Sequence, residues 1–268
     1  MRETMIEERE ERAISSPTPH LSYSRLNRYL HCPEQYRLYY IENLRPRSPS
    51  SSLVFGQTVH QALAFYFQEK GDAIAFFQKA WGDAKHVNLT YKQRESWEKL
   101  RAGGEGLLDK FFQQELAKFQ NIRASEKVFQ LNITNLDLPF IGVIDLIADL
   151  DGKRTVVDFK TSGSAYEDHE VLLSDQLTSY QLAEPQAEQT ALCVLIKTKE
   201  PRIEWHLAKR NGEQLIEFLA KAEILARQIS AGLFYKRPGK WCAWCDYLSV
   251  CTGDAERAKQ TLVQIINP

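Results

Sequence analysis

Apolar positions recur every three to four residues along the first part of the chain and alternate with polar ones further on. From about Ser125, the stretches EKVFQLNI, FIGVIDLIADL and TVVDFKT carry the two-residue period of β-strands. TALCVLIK at 190–197 and PRIEWHLA at 201–208 read as two more strands. Ahead of them, LSYSRLNRYLHCPEQYRLYYIENL at 21–44 reads as a helix, a break near Cys32-Pro33 and a second helix, with Ser22 and Ser24 as candidate caps. RPRSPSSS at 45–52 is a loop, and residues 53 to about 119 are helical with interruptions. A helix is expected over 174–184, and GEQLIEFLAKAEILARQISAG forms another that closes on a glycine. Helices, a sheet and helices again predict an α/β or α+β core with a helical insertion, about 61–122, ahead of the sheet. A tail over 1–20 is expected to be disordered, and 21–268 to form a single domain.

Two of these strands meet at Asp151-Gly152, a strong signal for a two-residue hairpin turn. That turn sets the register: positions whose numbers sum to 303 face each other, so Asp145 lies opposite Asp158. Alternation puts Lys160 on the same face as Asp158. Two facing carboxylates repel and weaken a hairpin, and a divalent cation between them reverses that sign. Asp145 also stands among Ile141, Val143, Ile144, Leu146 and Ile147, where an unpaired charge is costly. Two carboxylates, a bound Mg²⁺ or Mn²⁺ and a lysine one pleat away are suited to phosphodiester hydrolysis. Asp145 and Asp158 would be ligands with the backbone carbonyl of Phe159. Lys160 would orient or deprotonate a water, or neutralise the phosphate.

At 268 residues, 43% hydrophobic and 26% charged, the chain is an ordinary globular sequence able to bury a core. No apolar run approaches a membrane span and the N-terminus carries no secretory h-region, so no membrane association and a cytoplasmic location are expected. A net charge of −1 argues against indiscriminate coating of nucleic acid. Basic clusters at Arg25, Arg28, Arg37, Arg45 and Arg47, at Lys92, Arg94, Lys99 and Arg101, and at Lys236, Arg237 and Lys240 permit a phosphate track. No G-x-x-x-x-G-K-[ST] occurs, so unwinding of a duplex would have to come from elsewhere.

Cys242, Cys245 and Cys251 give C-x2-C-x5-C, which in a cytosolic protein favours a metal over disulfides. Three thiolates leave a tetrahedral site one short. Cys193 lies in an apolar strand and reads as a core thiol; Cys32, beside Pro33, is the candidate fourth ligand. Zn²⁺ and an iron–sulfur cluster both remain open on spacing. His60 shares a helix face with Gly56, Ala64 and Phe67, the usual setting of a core histidine, and Gln176 and Tyr180 lie one helical turn apart.

Taken in order, S-x-S-x-x-x-x-Y-x-x-C-P at 22–33, G-x-x-x-H at 56–60, G-x-x-D at 142–145, D-x-K at 158–160, Q-x-x-x-Y at 176–180 and the final C-x2-C-x5-C resemble the RecB-like branch of the PD-(D/E)XK nucleases. The branch includes nuclease domains of helicase–nuclease subunits and CRISPR-associated exonucleases. Ile144-Asp145 stands where the family name has Pro-Asp. The resemblance implies a restriction-endonuclease-like α/β fold with a mixed sheet. It implies a metal-dependent DNA exonuclease acting on single strands or ends, in repair, recombination or CRISPR adaptation. His60, Asp145, Asp158 and the Phe159 carbonyl would bind Mg²⁺ or Mn²⁺, with Lys160 catalytic. Gln176 and Tyr180 would hold the DNA strand. Cys32, Cys242, Cys245 and Cys251 would ligate a [4Fe-4S] cluster, with Zn²⁺ as the alternative. A helicase or a CRISPR integrase would be the protein partner. Glu126, at the start of the first strand, would reach the site through water. The rival is a non-catalytic or partner-activated DNA-binding module with a cysteine-bound metal.

Overall fold

The computed structural model describes residues 19–133 and 138–265, so nearly all of the tail expected over 1–20 lies outside the described residues. The chain opens with α1 (Tyr23–His31), capped by Ser22, whose Oγ accepts the Arg25 N–H at 3.3 Å. Ser24, the other candidate cap, is buried within this helix. Cys32 is extended, and Pro33 starts α2 (Pro33–Tyr36), which runs on as a π-helical turn over Arg37–Ile41. After β1 (Leu44–Pro46) come three helices, α3 (Ser51–Glu69), α4 (Ala73–Asp83) and α5 (Trp97–Gln114).

The central sheet then forms from β2 (Phe119–Leu131), β3 (Phe140–Leu150), β4 (Lys153–Ser162), β5 (Gln189–Ile196) and β6 (Arg202–Ala208). They lie in the order β2-β3-β4-β5-β6, antiparallel except for the parallel pair β4–β5. That crossover carries α6 (Asp168–Leu172) and α7 (Asp175–Ala183), because parallel neighbours need a long connection. The long helix α8 (Gly212–Ser230) follows, capped by Asn211 and ended by Gly232 at a φ of 68°. Then come α9 (Leu248–Thr252), α10 (Ala255–Thr261) and β7 (Leu262–Gln264), which pairs back onto β1. The expected α/β architecture, a five-stranded mixed sheet between helical layers, is the one observed.

One element begins earlier than its pattern. β2 starts at Phe119, six residues before the alternation becomes visible at Ser125. Its register against β3 shifts between Gln120 and Ala124, and Asn121 takes a left-handed φ of 44°. A bulge breaks the two-residue period, which hides the first half of the strand from a periodicity argument.

Helices cover both faces of the sheet. One layer packs α1, α7 and α8 against Phe140, Ile144, Ile147, Val156 and Val194. The other packs α3, α4 and α5 against Leu146, Ala148, Leu150, Val157, Phe159 and Leu195. Residues two apart on a strand share a face. Ile144 and Leu146 nonetheless belong to opposite layers, so the alternation of β3 slips at Asp145. No helix among the described residues is long and apolar enough to cross a membrane.

Candidate active site

The β3–β4 hairpin turns on Asp151 and Gly152, both left-handed at φ 48° and 80°, as a type I′ turn requires. Its pairs run from Leu150–Lys153 to Leu146–Val157, each summing to 303 as the turn predicts. The ladder stops one step short of Asp145 and Asp158. On the other flank, Ser125 pairs with Leu146 and Lys127 with Ile144, and the position between is skipped. There Glu126 stands across from Asp145 with a left-handed φ of 55°. Backbone pairing is thus interrupted on both sides of Asp145.

Side chains occupy the opening. An Asp145 carboxylate oxygen, Oδ2, accepts the Phe159 N–H at 2.7 Å and lies 3.4 Å from His60 Nδ1, which α3 brings from one layer. From the other layer, α7 supplies Gln176, whose Nε2 donates to Asp158 Oδ1 at 3.0 Å and to Tyr180 Oη at 2.7 Å. Tyr180 Oη lies 3.2 Å from Asp158 Oδ1 and 2.9 Å from the Val143 carbonyl. One hydroxyl proton serves one of these acceptors at a time. Lys160 Nζ stands 2.8 Å from Asp158 Oδ2, an ion pair whose angle lies outside hydrogen-bond geometry. The site therefore spans the sheet, with Asp145 reached from the α3 layer and Asp158 held from the α7 layer.

Asp145 is 3% exposed and Asp158 1%, while His60 and Lys160 keep 10% and 13% of their side-chain surface. Burying an ion costs several kcal/mol unless partners compensate. Two carboxylates against one lysine leave net negative charge when His60 is neutral. A unit charge ~4 Å away is worth about 4 kcal/mol at an effective dielectric of about 20, so a hard divalent cation suits this donor set. Among the described residues, no group of three or more His, Cys, Asp or Glu side chains is arranged to hold a metal ion as it stands. The donors are of the right chemistry and close together; ligation would draw Asp158 away from Lys160.

Gln176 and Tyr180 are 4% and 2% exposed, and their polar ends turn towards Asp158. Four of the five arginines of the first basic cluster are engaged by neighbouring side chains of the protein itself. Arg28 and Arg45 lie 3.9 and 3.4 Å from the Tyr39 ring centre, Arg25 lies 4.2 Å from that of Tyr40, and Arg37 pairs with Glu34 and Glu42. Two contributors gave no signal in the sequence: the Val143 carbonyl that receives Tyr180, and Arg210, which binds the helix carrying Gln176 and Tyr180.

Remote from the carboxylates in sequence, Cys32 meets the C-terminal cysteines. Gln35 Nε2 lies 3.8 Å from Cys245 Sγ, the Glu34 N–H donates to the Tyr235 carbonyl at 3.0 Å, and Lys236 Nζ donates to the Cys251 carbonyl at 2.8 Å. Burial pushes the Cys245 thiol up to about 11, and Asp246, Cys251 and Cys32 add to the rise. Burial likewise raises Cys251, with Glu34, Cys32 and Cys242 reinforcing it and Lys236 opposing. Cys193, as expected, is fully buried in the core, where burial holds its thiol well above the usual range.

Comparison with known proteins bears on the fold and the family. One solved structure, a protein from Eubacterium rectale provisionally described as an exonuclease, superimposes with a TM-score of 0.57 over 93% of this chain and 90% of its own, at 14% identity. At that identity the likeness is one of fold. A second, SSO0001, aligns over 94% of this chain and 95% of its own at 14% identity, with a TM-score of 0.42. None of the curated proteins matches. The sequence matches the family model of the PD-(D/E)XK nuclease superfamily over residues 20–252, a span that holds every candidate ligand and the lysine. The chain belongs to the PD-(D/E)XK nuclease superfamily.

Proposed function

We propose that this protein is a metal-dependent DNA nuclease of the RecB-like branch, acting as an exonuclease on single strands or DNA ends. The observation that carries the reading is the meeting of Asp145, Asp158, His60 and Lys160 at an interruption of the sheet. Asp145, Asp158, His60 and the Phe159 carbonyl would hold Mg²⁺ or Mn²⁺. When bound, such an ion activates water and stabilises charge growing on the phosphate. The chain's own groups do the rest. Gln176 and Tyr180 orient the Asp158 carboxylate. The Phe159 N–H fixes that of Asp145. Lys160, the cation nearest Asp158, turns to the scissile phosphate and neutralises it.

Cys32, Cys242, Cys245 and Cys251 would hold a [4Fe-4S] cluster, with Zn²⁺ as the alternative, tying α1 and α2 to the C-terminal segment. The C-x2-C-x5-C spacing, the order of the motifs and the contact of Gln35 with Cys245 support this role. A helicase or a CRISPR integrase fits as a partner, because the chain carries no P-loop of its own.

The test is cleavage of end-labelled single- and double-stranded DNA by protein purified without oxygen, in Mg²⁺, Mn²⁺ or EDTA. Metal-dependent cleavage absent from Lys160→Ala is expected, and the labelled end reports polarity. Cleavage by Lys160→Ala at the wild-type rate would refute the assignment. Binding of DNA with no cleavage under any metal would favour a non-catalytic module.

A further inference from the structure

We propose that Arg210, in the turn between β6 and α8, is a positioning residue for the carboxylate site, acting through α7; this rests on the nuclease reading above. Arg210 is 3% exposed, and among the described residues no carboxylate stands within ion-pair distance of it, although it feels the charge of Asp175. Its guanidinium reaches the junction of α6 and α7. Nη2 donates to the Val171 carbonyl at 2.7 Å and lies 3.2 Å from the Ser174 carbonyl, and Nε donates to Thr178 Oγ1 at 2.9 Å. Its backbone is bound to the same helix: the Arg210 N–H donates to Gln181 Oε1 at 2.7 Å, and Gln181 Nε2 donates to the Arg210 carbonyl at 2.9 Å.

These bonds answer a local need. The last carbonyls of a helix lack intrahelical partners, and α6 spans only Asp168–Leu172. Leu172 and Leu173, at 53% and 73% exposure, leave the buried Val171 as its apolar anchor. The Val171 carbonyl also accepts the Ser174 N–H at 3.2 Å, and the guanidinium adds a cationic donor where α6 ends and α7 begins. Ser174 is the N-cap of α7, and Gln176 follows two residues later. Gln176 and Tyr180 hold Asp158, so the distance from Arg210 to a candidate ligand is two hydrogen-bonded steps. The guanidinium also keeps a buried Nη1 without a hydrogen-bond partner, a cost that an aliphatic side chain would avoid. Only a planar fork bridges Val171, Ser174 and Thr178 together.

The test uses the full chain and two readouts, calorimetric titration with Mn²⁺ and Mn²⁺-dependent cleavage of end-labelled single-stranded DNA. Arg210→Met, which keeps volume and loses the fork, is expected to bind Mn²⁺ roughly 10- to 100-fold more weakly, with kcat falling and KM for DNA unchanged. In a Gln176→Ala background, the same substitution should weaken binding by less than it does in the wild type, because one of its two routes to Asp158 is already cut. Wild-type Mn²⁺ affinity in Arg210→Met, or losses that multiply in the double variant, would overturn the proposal. If Arg210→Met does not fold, Arg210→Lys decides: it keeps the charge without the fork, and wild-type affinity there overturns the proposal equally. A wild-type protein that binds no Mn²⁺ and cuts no DNA would sink the nuclease reading itself, an outcome distinct from an unaffected Arg210 variant beside an active wild type.

Discussion

Asp158 is surrounded by groups that each do one thing. Gln176 and Tyr180 fix one carboxylate oxygen, and Lys160 faces the other. Asp158→Asn keeps the shape and removes the charge, so it should abolish metal-dependent cleavage while leaving the thermal midpoint within a few degrees of wild type. Gel assay and calorimetry check the two halves. Tyr180→Phe removes a hydroxyl buried between Asp158 and the Val143 carbonyl, leaving that carbonyl without its side-chain donor. It should cost about 1–3 kcal/mol in urea unfolding and reduce cleavage without abolishing it. At this scale the sequence was most legible where chemistry and spacing coincide. Asp145, Asp158 and Lys160 follow from one turn and two periods. Gln176 and Tyr180 were legible as a pair on one helix face, but no pattern in their own helix says that the face meets a carboxylate on the preceding strand. Arg210 lies in AKRNGEQ, which reads as a solvated turn, and only the tertiary fold buries it.

The β3–β4 hairpin governs the site at the scale of elements. Its register comes from two left-handed residues, and a slip of one position would exchange the faces of every side chain on a strand. Gly152→Ala puts a Cβ on a φ of 80° and should cost about 1 kcal/mol or more, read as a lower urea midpoint with unchanged slope. The helical layer is set by close approach instead. A Cβ at Gly104 of α5 would lie 2.1 Å from the Phe77 ring of α4, so Gly104→Ala should destabilise by about 1–3 kcal/mol. The strands after Ser125 and the helices α7 and α8 were legible because one face or both meet a core with a regular period. The first six residues of β2 were not, because a bulge carries no period.

At the scale of the whole molecule, an early and a late segment of the described chain are joined. β1 pairs with β7, Tyr247 Oη donates to the Leu44 carbonyl at 2.8 Å, and Gln264 Nε2 donates to the Glu42 carbonyl across 222 residues. On the proposed reading a cluster at Cys32, Cys242, Cys245 and Cys251 reinforces this closure. Cys245→Ser should then yield bleached protein whose thermal midpoint falls by roughly 10 °C, since structural metal binding contributes directly to folding. Coloured, equally stable protein would count against that role. The cysteine pattern alone pointed to the closure; the strand pair did not, because three-residue strands carry too little pattern to read. The span between the paired ends also sets a clock. At 5–20 residues per second, synthesis of those 222 residues takes roughly 10–45 s. Throughout it β1 waits without β7, and on the proposed reading Cys32 stands apart from the other three ligands, so the nascent chain meets oxidants with those thiols unbound.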